Sequence, residues 1–171
     1  METKLTKEEK HRIYGMPLNM QFEGIGVHSP NPVLKHILKS EESEDYGRVL
    51  KVALVYAEEE TVLIMPEIHE SETEIRERLG IPTKKKNPDL KVGCKWIDVK
   101  SPLSFEKIVV NANKASLQGG IACITDDFIK INETSHLAKN ILKSKDYAMD
   151  EVHFFVDGIL YKYNSQGLIP G

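Results

Sequence analysis

Apolar positions along this chain recur at two periods, and the switches between them mark out its elements. From residue 46 to 58, Val49, Leu50, Val52, Ala53, Leu54, Tyr56 and Ala57 make a wide apolar face at helical spacing. TVLIM at 61–65 is a continuous apolar run stopped by Pro66, as a buried strand would be. Residues 71–79 read as a helix that Gly80 ends. The stretch 104–117 reads as another, buried through Ile108, Val109, Ala112, Ala115 and Leu117 and closed by Gln118-Gly119-Gly120. IACIT follows as a buried strand, and 135–145 as a further helix. EVHFFVDGILYKY sets Asp157-Gly158 between two strand-like runs, a strong hairpin signal. The order from residue 46 is α-β-α-β-β-α-β-α-β-β.

The first 45 residues read differently. Residues 6–14 fit one short helix with Thr6 as N-cap and Gly15 as its stop. Pro17, Gly24, Gly26, Pro30 and Pro32 make 15–33 loop-rich, and 33–38 reads as a short helix before the acidic run EESED. The expectation is an N-terminal extension over 1–45 and an α/β (α+β) domain over 46–171. That domain has a mixed central sheet flanked by helices, with a C-terminal helix and β-hairpin.

Between residues 88 and 100 the spacing specifies a hairpin. Gly93 is best suited to positive φ, and a two-residue Gly93-Cys94 turn has glycine at the first central position, as type II′ wants. This register pairs Val92 with Lys95, Leu90 with Ile97 and Asp89 with Asp98. Leu90, Val92, Ile97 and Val99 then share an apolar face; Asp89, Lys91, Trp96, Asp98 and Lys100 share the other. Opposite residues have Cβ atoms about 5 Å apart. Two carboxylates that close repel unless a proton or cation lies between them. Mg²⁺ accepts one or two carboxylates and keeps several waters, and Lys100, two residues beyond Asp98, is placed to orient an attacking water or stabilise phosphorane charge. Alternating charges also mark a solvated hairpin face. With that face away from the core, Asp98→Ala is expected to leave the fold intact.

Composition narrows the possibilities. With 171 residues, 40% hydrophobic, the chain can build a proper core. Its net charge of −3 argues against a general nucleic-acid coat, so a basic site must be local. Lys84, Lys85 and Lys86 directly precede Pro88-Asp89, and with Lys91, Lys95, Lys100 and Lys107 they would form such a patch; a solvated lysine loop is the plain alternative. Cys94 and Cys123 read as buried reduced thiols, with no zinc spacing. No apolar run approaches a membrane span and the N-terminus lacks a signal-peptide core, so the chain reads as cytoplasmic, as a domain cut from a larger exported protein also would.

Pro88-Asp89 followed on the next strand by Asp98-Val99-Lys100 resembles the PD-(D/E)XK nuclease signature. The order around it is similar to that family's αβββαβ core, with helix 71–79 as an insertion. Over 46–163, VLIMPEI, KNPDLKVGCKWIDVKSP, QGGIACITDD and EVHFFVDGILYKY resemble C-terminal nuclease toxin domains of contact-dependent growth inhibition systems and of phage or mobile-element proteins. The resemblance implies that Asp89 and Asp98 hold a divalent metal, Mg²⁺ or Mn²⁺, that Lys100 assists, and that Gln118 belongs to the site. It implies nucleic acid, DNA or RNA, as substrate and a cognate immunity protein as a partner. The family often adds a glutamate from its first helix. Glu58 to Glu60 are candidates, and Glu67 is another.

Two other readings remain. Several such toxins use the barnase/EndoU/colicin/RelE-like fold, which needs no metal. His136 or His153 would then be the general base beside Lys100, although His153, in an apolar strand, is expected simply to point outward. The third reading is a non-catalytic binding protein of a mobile element, which suits the acidic net charge. Trp96 is placed to stack on a base, or to be a partly covered surface aromatic. Ser101 and Thr125-Asp126-Asp127 lie near strand ends, where sites form or turns are capped.

Overall fold

The computed structural model describes residues 6–25, 29–37, 44–82, 85–125 and 129–170. The helices are α1 (Lys7–Tyr14), α2 (Leu18–Gln21), α3 (Glu44–Tyr56), α4 (Thr73–Leu79), α5 (Phe105–Leu117) and α6 (Thr134–Lys143). The strands are β1 (Phe22–Ile25), β2 (Val33–His36), β3 (Val62–Ile64), β4 (Leu90–Val92), β5 (Lys95–Lys100), β6 (Ile121–Thr125), β7 (Glu151–Val156), β8 (Ile159–Asn164) and β9 (Gly167–Leu168). All nine form one mixed sheet in sequence order, with β2–β3, β5–β6 and β6–β7 parallel and the other neighbours antiparallel. The fold is therefore α/β with a mixed sheet. No described helix is long and apolar enough to cross a membrane.

Most elements lie where periodicity puts them. Thr6 caps α1 by accepting the Glu9 N–H at 3.1 Å, and Gly80 ends α4 in the left-handed region at φ 73°. Asp157 and Gly158 both have positive φ, as a type I′ turn requires, and join β7 to β8 in an unbroken six-pair ladder. The Gly93 turn gives the expected register: Val92 faces Lys95 and Leu90 faces Ile97.

Residues 33–36 are a strand and not the expected helix. Val33 and His36 are fully buried, and β2 runs parallel to β3 on one side and antiparallel to β1 on the other. Tertiary pairing overrides local propensity here: without β2, the short apolar β3 would be an open edge. Residue 38 of that expected helix lies outside the described residues. The expected extension is thus not separate, because its residues 22–25 and 33–36 supply two strands to the same sheet.

Helices cover both faces. On one, α3 packs Val49, Val52, Ala53 and Tyr56 over Val62, Leu90, Ile97 and Cys123. On the other, α5 and α6 bury Ala122, Ile124, Val152 and Phe154, while Tyr14 of α1 and Ile75 and Leu79 of α4 close over Leu63 and Trp96. This second layer corrects an expectation. The apolar hairpin face does meet the core, but the charged face is not in water, and Asp98 is only 3% exposed.

Two further side chains differ from expectation. Cys94, in the turn, is exposed, whereas Cys123 is buried and its thiol is pushed up to about 12 by burial. His153 does not point outward; it is buried against α3. Its Nδ1 meets the Tyr56 hydroxyl at 2.5 Å and its Nε2 meets Glu151 Oε1 at 2.7 Å. A neutral ring satisfies both, donating to Glu151 and accepting from Tyr56.

Burial lowers the His153 pKa, and the Glu151 hydrogen bond only partly opposes this. As pH falls, the unfolded chain takes up that proton first. The stability held by the neutral ring is therefore complete above the ordinary 6.5 and is lost on acidification below it. In urea unfolding the wild-type midpoint, measured relative to that of His153→Gln, should fall from pH 7.5 to 5.5, whatever the other titrating groups add to both proteins. An equal slope in the variant would contradict the assignment.

Candidate active site

The signature residues converge where β4 and β5 part. The ladder stops at Leu90 and Ile97, and one residue earlier the Asp89 side chain takes over. Its Oδ2 accepts the Val99 N–H at 3.1 Å, while its backbone carbonyl accepts the Met65 N–H at 2.9 Å. Asp98, on the α5 side of β5, stands near enough to Asp89 for that charge to act on it, and both line one recess. Lys100 Nζ lies 3.0 Å from Asp98 Oδ2. Gln118, at the end of α5, completes the group: with its amide nitrogen turned toward the carboxylate, it donates to Asp98 Oδ2 at 2.7 Å. Asp89, Asp98, Lys100 and Gln118 are thus brought together.

Burial first, and then the adjacent Asp89 charge, raise the Asp98 carboxyl to about 7, with Lys100 pulling against both. A proton or a cation relieves the same repulsion, so the pair is built to hold one or the other.

Three residues with no obvious chemistry fix this geometry. Gly120 lies against the pair: a Cβ there would sit 3.1 Å from Asp98 N and 3.2 Å from both Asp98 Cβ and Pro88 Cβ. Asn87 is buried and spans two chain segments, with Nδ2 donating to the Pro66 carbonyl at 2.8 Å and Oδ1 accepting the Ile68 N–H at 2.9 Å. Arg76, buried in α4, donates to the Ile68 carbonyl at 2.5 Å and to the Lys85 carbonyl. The helix between the first two core strands therefore anchors the run that delivers Pro88-Asp89.

A recess of about 200 Å³ opens over the carboxylates, lined by Asp45, Arg48, Val49, Lys86, Asp89, Asp98, Val99, Lys100 and Ser101. Lys86 and Ser101 reach it as expected for this end of the strands. Asp45 and Arg48 come from the first turns of α3 and were not expected. The i,i+3 spacing of this pair reads only as a helix-surface ion pair, because nothing local tells which strand end the helix start will meet.

The rest of the expected basic patch is dispersed. Lys91 lies over the half-buried Trp96 ring at 5.4 Å, which also leaves Trp96 packed beneath α1 and α4. Lys95 pairs with Glu151 at 3.1 Å, five residues from Lys100, or roughly 17 Å along the strand. Lys85 is exposed and Lys107, in α5, is also exposed; neither lines the recess, and Lys84 lies outside the described residues. The helix-glutamate candidates are at the wrong end of α3: Glu60 lies against the Gly93 turn and Glu59 pairs with Lys162. Glu67 is exposed and does not line the recess. His136 is exposed on α6 and His153 is enclosed with Tyr56, so neither histidine faces the carboxylates. Thr125 is buried with its hydroxyl 3.5 Å from the Lys100 carbonyl, while Asp126 and Asp127 lie outside the described residues.

Oxygen donors in a converging pair suit a hard dication. Among the described residues no group of three or more His, Cys, Asp or Glu side chains is placed to hold a metal ion together. Asp89 and Asp98 are two carboxylates that could hold such an ion, a number Mg²⁺ commonly takes from a protein.

Comparison with protein-family models, with curated proteins and with solved structures gives no match.

Gly120→Ala should press on Asp98 and Pro88, destabilising by about 1–3 kcal/mol and displacing the carboxyl. Arg76→Ala should leave the buried Ile68 carbonyl without this donor, at roughly 1–3 kcal/mol. Chemical denaturation measures both. Wild-type midpoints in these variants would mean the packing is looser than described.

Proposed function

We propose that this chain is a nuclease that hydrolyses phosphodiester bonds with a divalent metal, Mg²⁺ or Mn²⁺, held by Asp89 and Asp98. The observation that carries the reading is the forced approach of these two carboxyl groups, one of them buried, with Lys100 and Gln118 both directed at Asp98. A solvated hairpin face would splay its like charges apart. The resemblance of Pro88-Asp89 and Asp98-Val99-Lys100 to the PD-(D/E)XK signature supports the same reading.

In this scheme Asp89 and Asp98 supply the oxygen ligands. A dication held there provides Lewis-acid polarisation of the scissile phosphodiester. Gln118 fixes the Asp98 carboxylate through a hydrogen bond, and the Val99 N–H does the same for Asp89. Lys100 directs an ammonium into the recess, where it orients the attacking water and neutralises charge on the phosphorane. Burial of Asp98 keeps bulk water from screening these interactions.

One observation favours a second reading. A carboxyl near 7 is suited to act as a general acid or base without metal. Chelation separates the two. Cleavage of tRNA, single-stranded DNA or plasmid that EDTA abolishes and Mn²⁺ restores supports the metal-assisted reading. Cleavage that survives EDTA supports the second, and no cleavage of any substrate contradicts both.

The raised pKa has two consequences of opposite value. The protonated form of Asp98 is the stable one: its contribution is complete below the ordinary 3.8 and is lost as pH rises through about 7. Moving the group from 3.8 to about 7 corresponds to an upper bound of roughly 4 kcal/mol. Asp98→Asn, which mimics the protonated form, should therefore melt higher than wild type at pH 8 while losing about 100-fold or more in cleavage. Metal affinity should rise with pH across the neutral range, by up to about tenfold per unit below the pKa, as calorimetric titration with Mn²⁺ would record. An Asp98→Asn protein that cleaves normally, or melts lower at pH 8, would contradict the assignment.

A further inference from the structure

Six charged side chains line the recess: the carboxylates of Asp45, Asp89 and Asp98 and the cations of Arg48, Lys86 and Lys100. They fall into two sets. Asp89, Asp98 and Lys100 belong to the hairpin, and the Asp98–Lys100 pair is largely enclosed, with side chains 4% and 18% exposed. Arg48 stands on the α3 wall, joined to Asp45 by a 3.1 Å contact between Nη1 and Oδ1, with side chains 43% and 83% exposed. A pair so open to water is held weakly. The guanidinium fork prefers the two oxygens of a phosphate.

We propose that Arg48 is the substrate clamp of this site: it grips a phosphodiester neighbouring the one presented to Asp89 and Asp98, and Asp45 is its resting partner. The inference rests on the nuclease reading and deepens it, because it makes the ligand a polynucleotide strand and not a single phosphoryl group. Charge balance points the same way. The recess is neutral with its three carboxylates ionised, and a dication on Asp89 and Asp98 leaves two positive charges, which two successive phosphodiesters neutralise. Lys86, exposed on the loop before Pro88, stands ready on the same recess to follow the strand outward. Asp45 acts as a placeholder: it keeps the guanidinium ordered over the recess and yields to a better anion.

The probe is a short labelled single strand, one of DNA and one of RNA, bound to the intact chain in EDTA and followed by anisotropy across a salt series. Arg48→Ala should weaken binding about tenfold, the loss expected for one charged hydrogen bond, and lower the salt slope by about one. Arg48→Lys should recover part of the affinity but not all. Asp45→Ala should tighten binding by removing the competing carboxylate. A merely structural helix-end pair would behave differently, with both substitutions lowering the melting temperature and neither moving the salt slope. Wild-type binding that Arg48→Ala leaves unchanged, or that Asp45→Ala weakens as Arg48→Ala does, overturns the clamp and leaves the nuclease reading standing. A wild-type chain that binds neither strand, in EDTA or with Ca²⁺ supplied in its place, overturns both.

Discussion

The site depends on one unfavourable contact: a buried carboxyl, Asp98, held against a second carboxyl, Asp89. Left alone, such a pair separates or takes up a proton. Its neighbours prevent separation. The Val99 N–H holds Asp89, Gln118 and Lys100 both hold Asp98 through Oδ2, and Gly120 leaves room for Asp98 and Pro88 to close on it. Arg76 and Asn87, farther back, tie the incoming chain to the segment after β3. The proton or the cation is the variable that remains.

Stability for this strained corner comes from elsewhere in the sheet. Tyr56 of α3 is almost fully buried with Val62, Leu90 and Ile97 on one face, and Ile108 of α5 with Ile124 and Phe154 on the other. On the α3 face, the Tyr56–His153–Glu151 chain satisfies every buried polar atom of the ring it encloses, so it behaves as part of the core. The two titratable clusters lie on opposite faces and respond to pH in opposite directions: His153 loses stability on acidification, Asp98 on alkalinisation.

The hairpin was legible because its information is local. Gly93 sets the turn, the turn sets the register, and the period of two sorts Leu90, Val92 and Ile97 from Asp89, Asp98 and Lys100. The α5–β6 junction was legible for the same reason. What covers the charged face was not, since that depends on α4 and α5 folding back from distant positions, and so Asp98 reads as exposed when it is buried. β2 was misread because four residues after a proline carry too little pattern to compete with pairing to β3. Arg48 and Asp45 gave no signal: only the packing of α3 across the sheet brings its first turns over the carboxylates. His153 looked like an outward residue because its partner Tyr56 lies 97 positions away.

Diffraction from a crystal soaked in Mn²⁺, recorded with its anomalous signal, tests the central claim most directly. The account predicts one peak bridging the carboxylates of Asp89 and Asp98, at about 2.0–2.2 Å from an oxygen of each, with Lys100 swung off Asp98. A fully soaked crystal with no peak there, and Asp98 still closed on Lys100, would contradict it.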